Sequence, residues 1–173
     1  MTPPTSQFIL SRQVVVQMPN TKNDDRFHSR KSPRLKNYDY SQPNYYFVTI
    51  CTSGKRRIFG EAGNLNEYGK VAEQGLREIP KHFPQVCVDK YVVMPNHIHA
   101  ILVLKEQTAN LSVILGQYKS YVARRIHRIE PDQSVWQVSF HDHVIRDQKG
   151  YEKIWLYIES NPSNWQKDCF FTK

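Results

Sequence analysis

Two runs dense in strand-forming residues, Val86 to Met94 and His97 to Leu104, are separated only by Pro95-Asn96. So short a connection leaves no room for a crossover helix, and the two runs must fold back on each other as an antiparallel hairpin. The rest of the pattern is built around it. Upstream, Tyr45-Tyr46-Phe47-Val48-Thr49-Ile50-Cys51-Thr52 is β-branched and aromatic and closes at Ser53-Gly54, which predicts a buried strand. Residues 66–80 carry helical spacing, with Val71, Leu76 and Ile79 on one side, and Pro80 and Pro84 mark its expected end. Residues 110–129 form the clearest helix: Leu111, Ile114, Leu115, Tyr118, Val122, Ile126 and Ile129 recur along one stripe, with Lys119, Arg124 and Arg128 off it. Residues 135–146 read as a fourth strand, and Gln148 to Asn161 as a last helix stopped by Pro162. The order β-α-β-β-α-β is the split β-α-β, ferredoxin-like plan of the α+β class. It predicts an antiparallel four-stranded sheet with helices on one face, plus a C-terminal helix carrying Tyr157. His97 to Leu104 then lies inside the sheet, with a neighbour on each side.

The opening of the chain differs in kind. Residues 18–42 are rich in Pro, Asn, Asp, Ser, Lys and Arg without an apolar period, and Arg26 to Lys36 holds five basic residues. We therefore divide the chain into a partly irregular basic arm over residues 1–40 and a folded domain over residues 41–173. Val14-Val15-Val16 is a candidate short strand within the arm. The formal net charge of +8 favours polyanionic partners through counterion release. Cys51, Cys87 and Cys169 are far apart and form no CxxC pair, which argues against a disulfide framework and a thiolate zinc site. The longest apolar runs are too short to span a bilayer, so no membrane partner is expected. The sequence opens MTPPTSQFIL, without the basic and apolar regions of a signal peptide, and the expected location is cytoplasmic.

His97 and His99 stand two apart on a strand, so both imidazoles leave the same face, about 7 Å apart before any convergence. Ile98, Ala100, Leu102 and Leu104 occupy the other face. Two neutral imidazoles on a rigid strand can fill two corners of a metal's coordination sphere, although paired histidines can also serve only as hydrogen-bonding residues. In the last helix the apolar stripe is Tyr151, Ile154, Trp155 and Ile158. Tyr157 lies to one side of it, and Asn161 is on the same flank one turn later. The alternative is an amphipathic border tyrosine with Asn161 closing the helix. A phenol of pKa about 10 is a poor nucleophile unless the phosphate it attacks is neutralised. Imidazole ligands suit Zn or Ni and an amide oxygen tilts toward Mg or Mn, so spacing leaves the ion open. On the fourth strand His141 and His143 share one face and Asp142 the other. Asp142 and His143 are accessory candidates for a ligand, a base or a phosphate contact, or else solvated residues of an edge strand.

The run Val92-Val93-Met94-Pro95-Asn96-His97-Ile98-His99 resembles the histidine–hydrophobe–histidine signature of the HUH single-tyrosine transposases. The chain is most similar to their REP-associated tyrosine transposase group, itself similar to insertion-sequence transposases. The likeness extends in order through Arg34-Leu-Lys-Asn-Tyr-Asp-Tyr40, Tyr46-Phe-Val-Thr-Ile-Cys-Thr52, Leu65-Asn-Glu-Tyr-Gly69, Tyr118-Lys-Ser120 and Ala123-Arg-Arg-Ile126. It continues through Val135-Trp-Gln137, His143-Val-Ile-Arg-Asp147, Tyr157-Ile158, Asn161-Pro162 and Trp165. Glu159-Ser160 is more polar than the family pattern, and the first 29 residues match nothing.

The resemblance implies that Tyr157 is the catalytic nucleophile and that His97, His99 and Asn161 hold a divalent metal, Mg or Mn. It further implies DNA transposition and recombination on single-stranded DNA bearing hairpins, through a 5′-phosphotyrosine intermediate. Lys119, Arg124, Arg125 and Arg128, with Arg30, Lys31, Arg34 and Lys36 of the arm, are candidate DNA contacts. Relatives work as monomers or homodimers. Two rivals use the same residues differently. One is a zinc-dependent hydrolase joining His97 and His99 to Asp142 or His143. The other is a domesticated, non-catalytic protein that binds DNA hairpins.

Overall fold

The computed structural model describes Leu35 and residues 37–172. The candidate strand at Val14-Val15-Val16 and the basic residues Arg30, Lys31, Arg34 and Lys36 lie outside the described residues. Strand β1 (Asn44–Cys51) is followed by a small hairpin, β2 (Gly60–Glu61) with β3 (Asn64–Leu65), and then by helix α1 (Glu67–His82). Next come β4 (Val86–Met94), β5 (His97–Leu104), helix α2 (Leu111–His127), β6 (His141–Ile145) and helix α3 (Gln148–Ser160). The large sheet has the order β4-β5-β1-β6, antiparallel throughout, so β5 is an inner strand as the topology requires.

The sheet is covered on both faces. Strand alternation sends Tyr46, Val48, Ile50, Ile98, Ala100 and Leu102 toward α1 and α2, where they join Leu76, Ile79, Ile114, Leu115 and Val122 in the main core. Ile101 and Ile145 point the other way and meet Tyr151, Trp155 and Ile158 of α3 in a second, smaller core. Helices α1 and α2 can approach closely because Gly75 faces α2: a Cβ there would stand 2.8 Å from Val122 and 2.9 Å from Tyr118. Among the described residues, no helix is long and apolar enough to cross a membrane.

Three local expectations are corrected. Helix α1 runs through Pro80 to His82. A proline in the last turn gives up only one bond, the one to the Leu76 carbonyl, and the Phe83 N–H still closes the helix onto the Ile79 carbonyl at 2.9 Å. The fourth strand begins at His141, not 135. Trp136 instead forms an isolated bridge with Thr52 and donates its indole N–H to the Lys119 carbonyl at 3.0 Å, which ties this segment to α2. Ile129 falls beyond the end of α2 and is exposed, so the buried stripe stops at Ile126. Helix α3 stops at Ser160, ahead of Pro162 as expected, and Pro162, whose missing N–H suits a first helical position, then opens a 3-10 turn, Pro162–Lys167.

Candidate active site

On β5 both histidines leave the sheet on the α3 side and are buried. Their rings lean together until the Nε2 atoms are 3.0 Å apart, well inside the spacing of the strand. Each ring is held from behind. The Nδ1 of His97 lies 2.8 Å from Asn96 Oδ1, and the Nδ1 of His99 lies 2.8 Å from Thr49 Oγ1, Thr49 being its register partner on β1.

Helix α3 delivers the tyrosine. Tyr151, Trp155 and Ile158 pack on the sheet, which turns the flank carrying Tyr157 toward the histidines. Tyr157 is 38% exposed, and its hydroxyl reaches His99 Nε2 at 3.1 Å. The same hydroxyl donates to Asp168 Oδ2 at 2.9 Å. Asp168 also accepts from Asn161 Nδ2 at 2.7 Å, and its Oδ1 accepts from the Phe170 N–H at 2.7 Å. The 3-10 turn brings this carboxylate in by burying Trp165 beside His97, with ring centroids 5.9 Å apart. Phe170 then lies against His97 at 4.8 Å, and its carbonyl accepts from Asn96 Nδ2 at 2.8 Å.

Burial sets the charges. It pushes the His97 imidazole down to about 3, assisted by His99, and it lowers His99 as well despite the nearby carboxylate. Burial and then the charge of Asp168 push the Tyr157 phenol above its usual range. Burial alone would raise Asp168, but His99, the Asn161 amide and the Phe170 N–H hold its carboxyl well below the usual carboxylate range. Near neutral pH the site therefore holds two neutral imidazoles, a neutral phenol and one buried carboxylate.

His97, His99 and Asp168 offer ligand atoms within 4.8 Å of one another, a cluster able to hold a metal ion. Asn161, whose Nδ2 donates to Asp168, has a buried Oδ1 with no hydrogen-bond partner among the described residues. An orphaned buried acceptor costs about 1–3 kcal/mol, and a cation would relieve that cost. The two Nε2 atoms, 3.0 Å apart, are close enough for one ion to be held by both. The residues fit a divalent metal.

Other candidates sit elsewhere. Asp142 is on the opposite face of β6 from His141 and His143, both of which are exposed, and neither Asp142 nor His143 joins the cluster. The hydrolase arrangement, which needed one of them, is not assembled. Lys119 spends its ammonium on the carbonyls of Gln137 at 2.6 Å and Val138 at 3.0 Å, so it secures a loop. Arg124 and Arg125 on α2, and Arg128 just past its end, are exposed across the sheet from the histidines, with Arg125 over the Tyr121 ring at 5.1 Å. Sequence reasoning missed Asp168, which follows an aperiodic turn and belongs to no motif. It also missed Thr49 and the side chain of Asn96, although both adjoin the histidines, one by strand register and one by chain order.

The family model described as "Transposase IS200 like" matches residues 40–161. An uncharacterised protein of Haemophilus influenzae is 34% identical over 87% of this chain and 98% of its own length. A second Haemophilus influenzae protein, provisionally named a REP-associated tyrosine transposase, is 24% identical over 74% of this chain and 76% of its own. Among solved structures, a REP-associated tyrosine transposase bound to a REP hairpin superposes with a TM-score of 0.62 at 20% identity. The match covers 76% of this chain and 73% of that one. A Deinococcus radiodurans protein provisionally described as a transposase gives 0.51 at 19% identity, over 73% of this chain and 95% of that one. At these identities the structural matches speak for the fold.

Proposed function

This chain belongs to the IS200-like transposase family, and we propose that it cuts and rejoins single-stranded, hairpin-bearing DNA with Tyr157 as the covalent nucleophile. The observation that carries this reading is the position of the Tyr157 hydroxyl. It sits 3.1 Å from His99 Nε2 and 2.9 Å from Asp168 Oδ2, with all three residues in one chain. The solved relative that holds a hairpin supports the choice of DNA.

His97, His99, Asp168 and Asn161 would hold the divalent ion, and their mix of imidazole and oxygen donors favours Mg or Mn. When bound, that ion supplies charge neutralisation to the phosphate and to the oxygens of the transition state. The chain's own residues do the rest. Trp155 and Tyr151 seat the helix so that the phenol faces the phosphate. The phenol already donates to Asp168 Oδ2, which aligns the hydroxyl for attack, and its proton passes to solvent as the oxygen–phosphorus bond forms. The bond from phosphorus to the 3′ oxygen breaks, and that oxygen takes a proton from water and leaves as a hydroxyl. The 5′ phosphate stays on Tyr157. Attack by another 3′-hydroxyl reverses the step, and because the phosphotyrosine retains the diester bond, joining needs no triphosphate.

Polarity tests the proposal. A single-stranded hairpin labelled separately on each side of the cleavage point is incubated with the protein and Mn, then denatured. The label 3′ of the cut should migrate with the protein. Retention of the other fragment would overturn the 5′-phosphotyrosine assignment, and binding without cleavage would favour the non-catalytic hairpin binder.

A further inference from the structure

We propose that Asn96 and Thr49 are positioning residues that hold Nδ1 of each histidine so that Nε2 faces the site, Asn96 by fixing one tautomer of His97 and Thr49 by accommodating both tautomers of His99. The proposal rests on the reading of His97 and His99 as metal ligands. Its argument comes from hydrogen-bond direction alone.

The Asn96 amide is buried and has only one workable orientation. Its Nδ2 faces two backbone carbonyls, Lys55 O at 3.1 Å and Phe170 O at 2.8 Å, and both can only accept. The nitrogen must donate to them, so Oδ1 is the atom turned to His97. An amide oxygen cannot donate; His97 Nδ1 therefore carries the proton, and Nε2 presents its lone pair. Flipping the amide would set an oxygen against two carbonyls and is excluded.

His99 follows from His97. Its Nε2 lies 3.0 Å from the His97 lone pair, so without a cation the stable arrangement places the His99 proton on Nε2, donated to His97. His99 Nδ1 then accepts from the Thr49 hydroxyl at 2.8 Å. Ligation at Nε2 requires the reverse: the His99 proton must sit on Nδ1 and be donated to Thr49. A hydroxyl can serve either tautomer, because it has one donor and two acceptor lone pairs. A carbonyl or an amide nitrogen at this place would lock His99 into one form. Both supports are buried strand or turn positions, which suits groups that must hold an imidazole within a few tenths of an ångström.

The test pairs a metal-free signature with metal affinity. Nitrogen-15 shifts of the imidazoles are recorded in the metal-free full chain. His97 should show a protonated Nδ1 and His99 a protonated Nε2; a protonated Nε2 on His97 would refute the Asn96 role whether or not metal binds. Mn affinity is then measured by electron paramagnetic resonance for wild type, Thr49→Val and Thr49→Ser. The valine variant keeps the β-branched shape and loses the hydroxyl. It should bind Mn about 10–100-fold more weakly, the usual effect of losing an outer partner of a ligating histidine. The serine variant should recover most of that loss. Wild-type affinity in Thr49→Val, or a serine variant as weak as valine, would overturn the Thr49 role. Absence of Mn binding in wild type would instead remove the metal reading while leaving the tautomer pattern to stand or fall by its own spectrum.

Discussion

His97 is fully buried beside a second imidazole, and its pKa of about 3 lies far below the value of about 6.5 for an unfolded histidine. Between those values the unfolded chain binds a proton that the folded chain refuses. This contribution to stability is therefore complete above about pH 6.5 and is lost progressively as pH falls toward 3. Chemical denaturation at several pH values should show a falling midpoint across that window, and a His97→Gln variant should flatten the slope. An unchanged slope would mean that other groups dominate acid unfolding. Asp168 makes the second prediction at this scale. It is the one anionic member of the proposed metal centre, so Asp168→Asn should weaken Mn binding at least about tenfold by titration, while the amide keeps one acceptor for the Tyr157 hydroxyl. Equal affinity in the variant would remove Asp168 from the ligand set.

Helix α3 shows how one element serves both stability and chemistry. Trp155 is buried against the sheet and also lies under the Lys90 ammonium at 4.0 Å, and Lys90 pairs in turn with Glu159. Trp155→Ala should cost about 3–5 kcal/mol in chemical denaturation, because the indole fills the second core. It should also lower adduct formation by loosening the helix that aims Tyr157. Full activity with that loss of stability would separate the two roles. Much at this scale was legible in the sequence. Strands β4 and β5 match their expected bounds because a two-residue turn leaves little choice, and α3 matches because its stripe is unambiguous. Residues 135–140 misled because an apolar segment can join a sheet edge or cross a core, and only the partners of Trp136 decide between them. Asp168 was illegible for a different reason. A 3-10 turn has no amphipathic period long enough to read, so nothing local shows that the residue after it returns to the histidines.

At the scale of the molecule, the proposed metal centre and the exposed arginines Arg124, Arg125 and Arg128 are on different sides of the sheet. The net charge of +8 should make DNA binding salt-dependent, with each single-strand phosphate contact adding about 0.7 to the logarithmic slope. Replacing Arg124 and Arg128 by Gln should reduce that slope and the affinity in anisotropy titrations. It should leave the rate of adduct formation at saturating DNA unchanged, since α2 does not face the histidines; a slower rate at saturation would show that the two surfaces act together. The fold needs no second chain to complete the proposed centre, because one chain brings the tyrosine, both histidines and Asp168 within hydrogen-bonding range or a few ångströms of one another. The most direct measurement compares wild type with Tyr157→Phe on a labelled hairpin in Mn, followed by denaturing electrophoresis. We expect a protein–DNA adduct with wild type and none with the phenylalanine variant, which should remain folded and still bind the hairpin. An adduct of equal yield in Tyr157→Phe, or wild-type cleavage that leaves no adduct, would contradict the account.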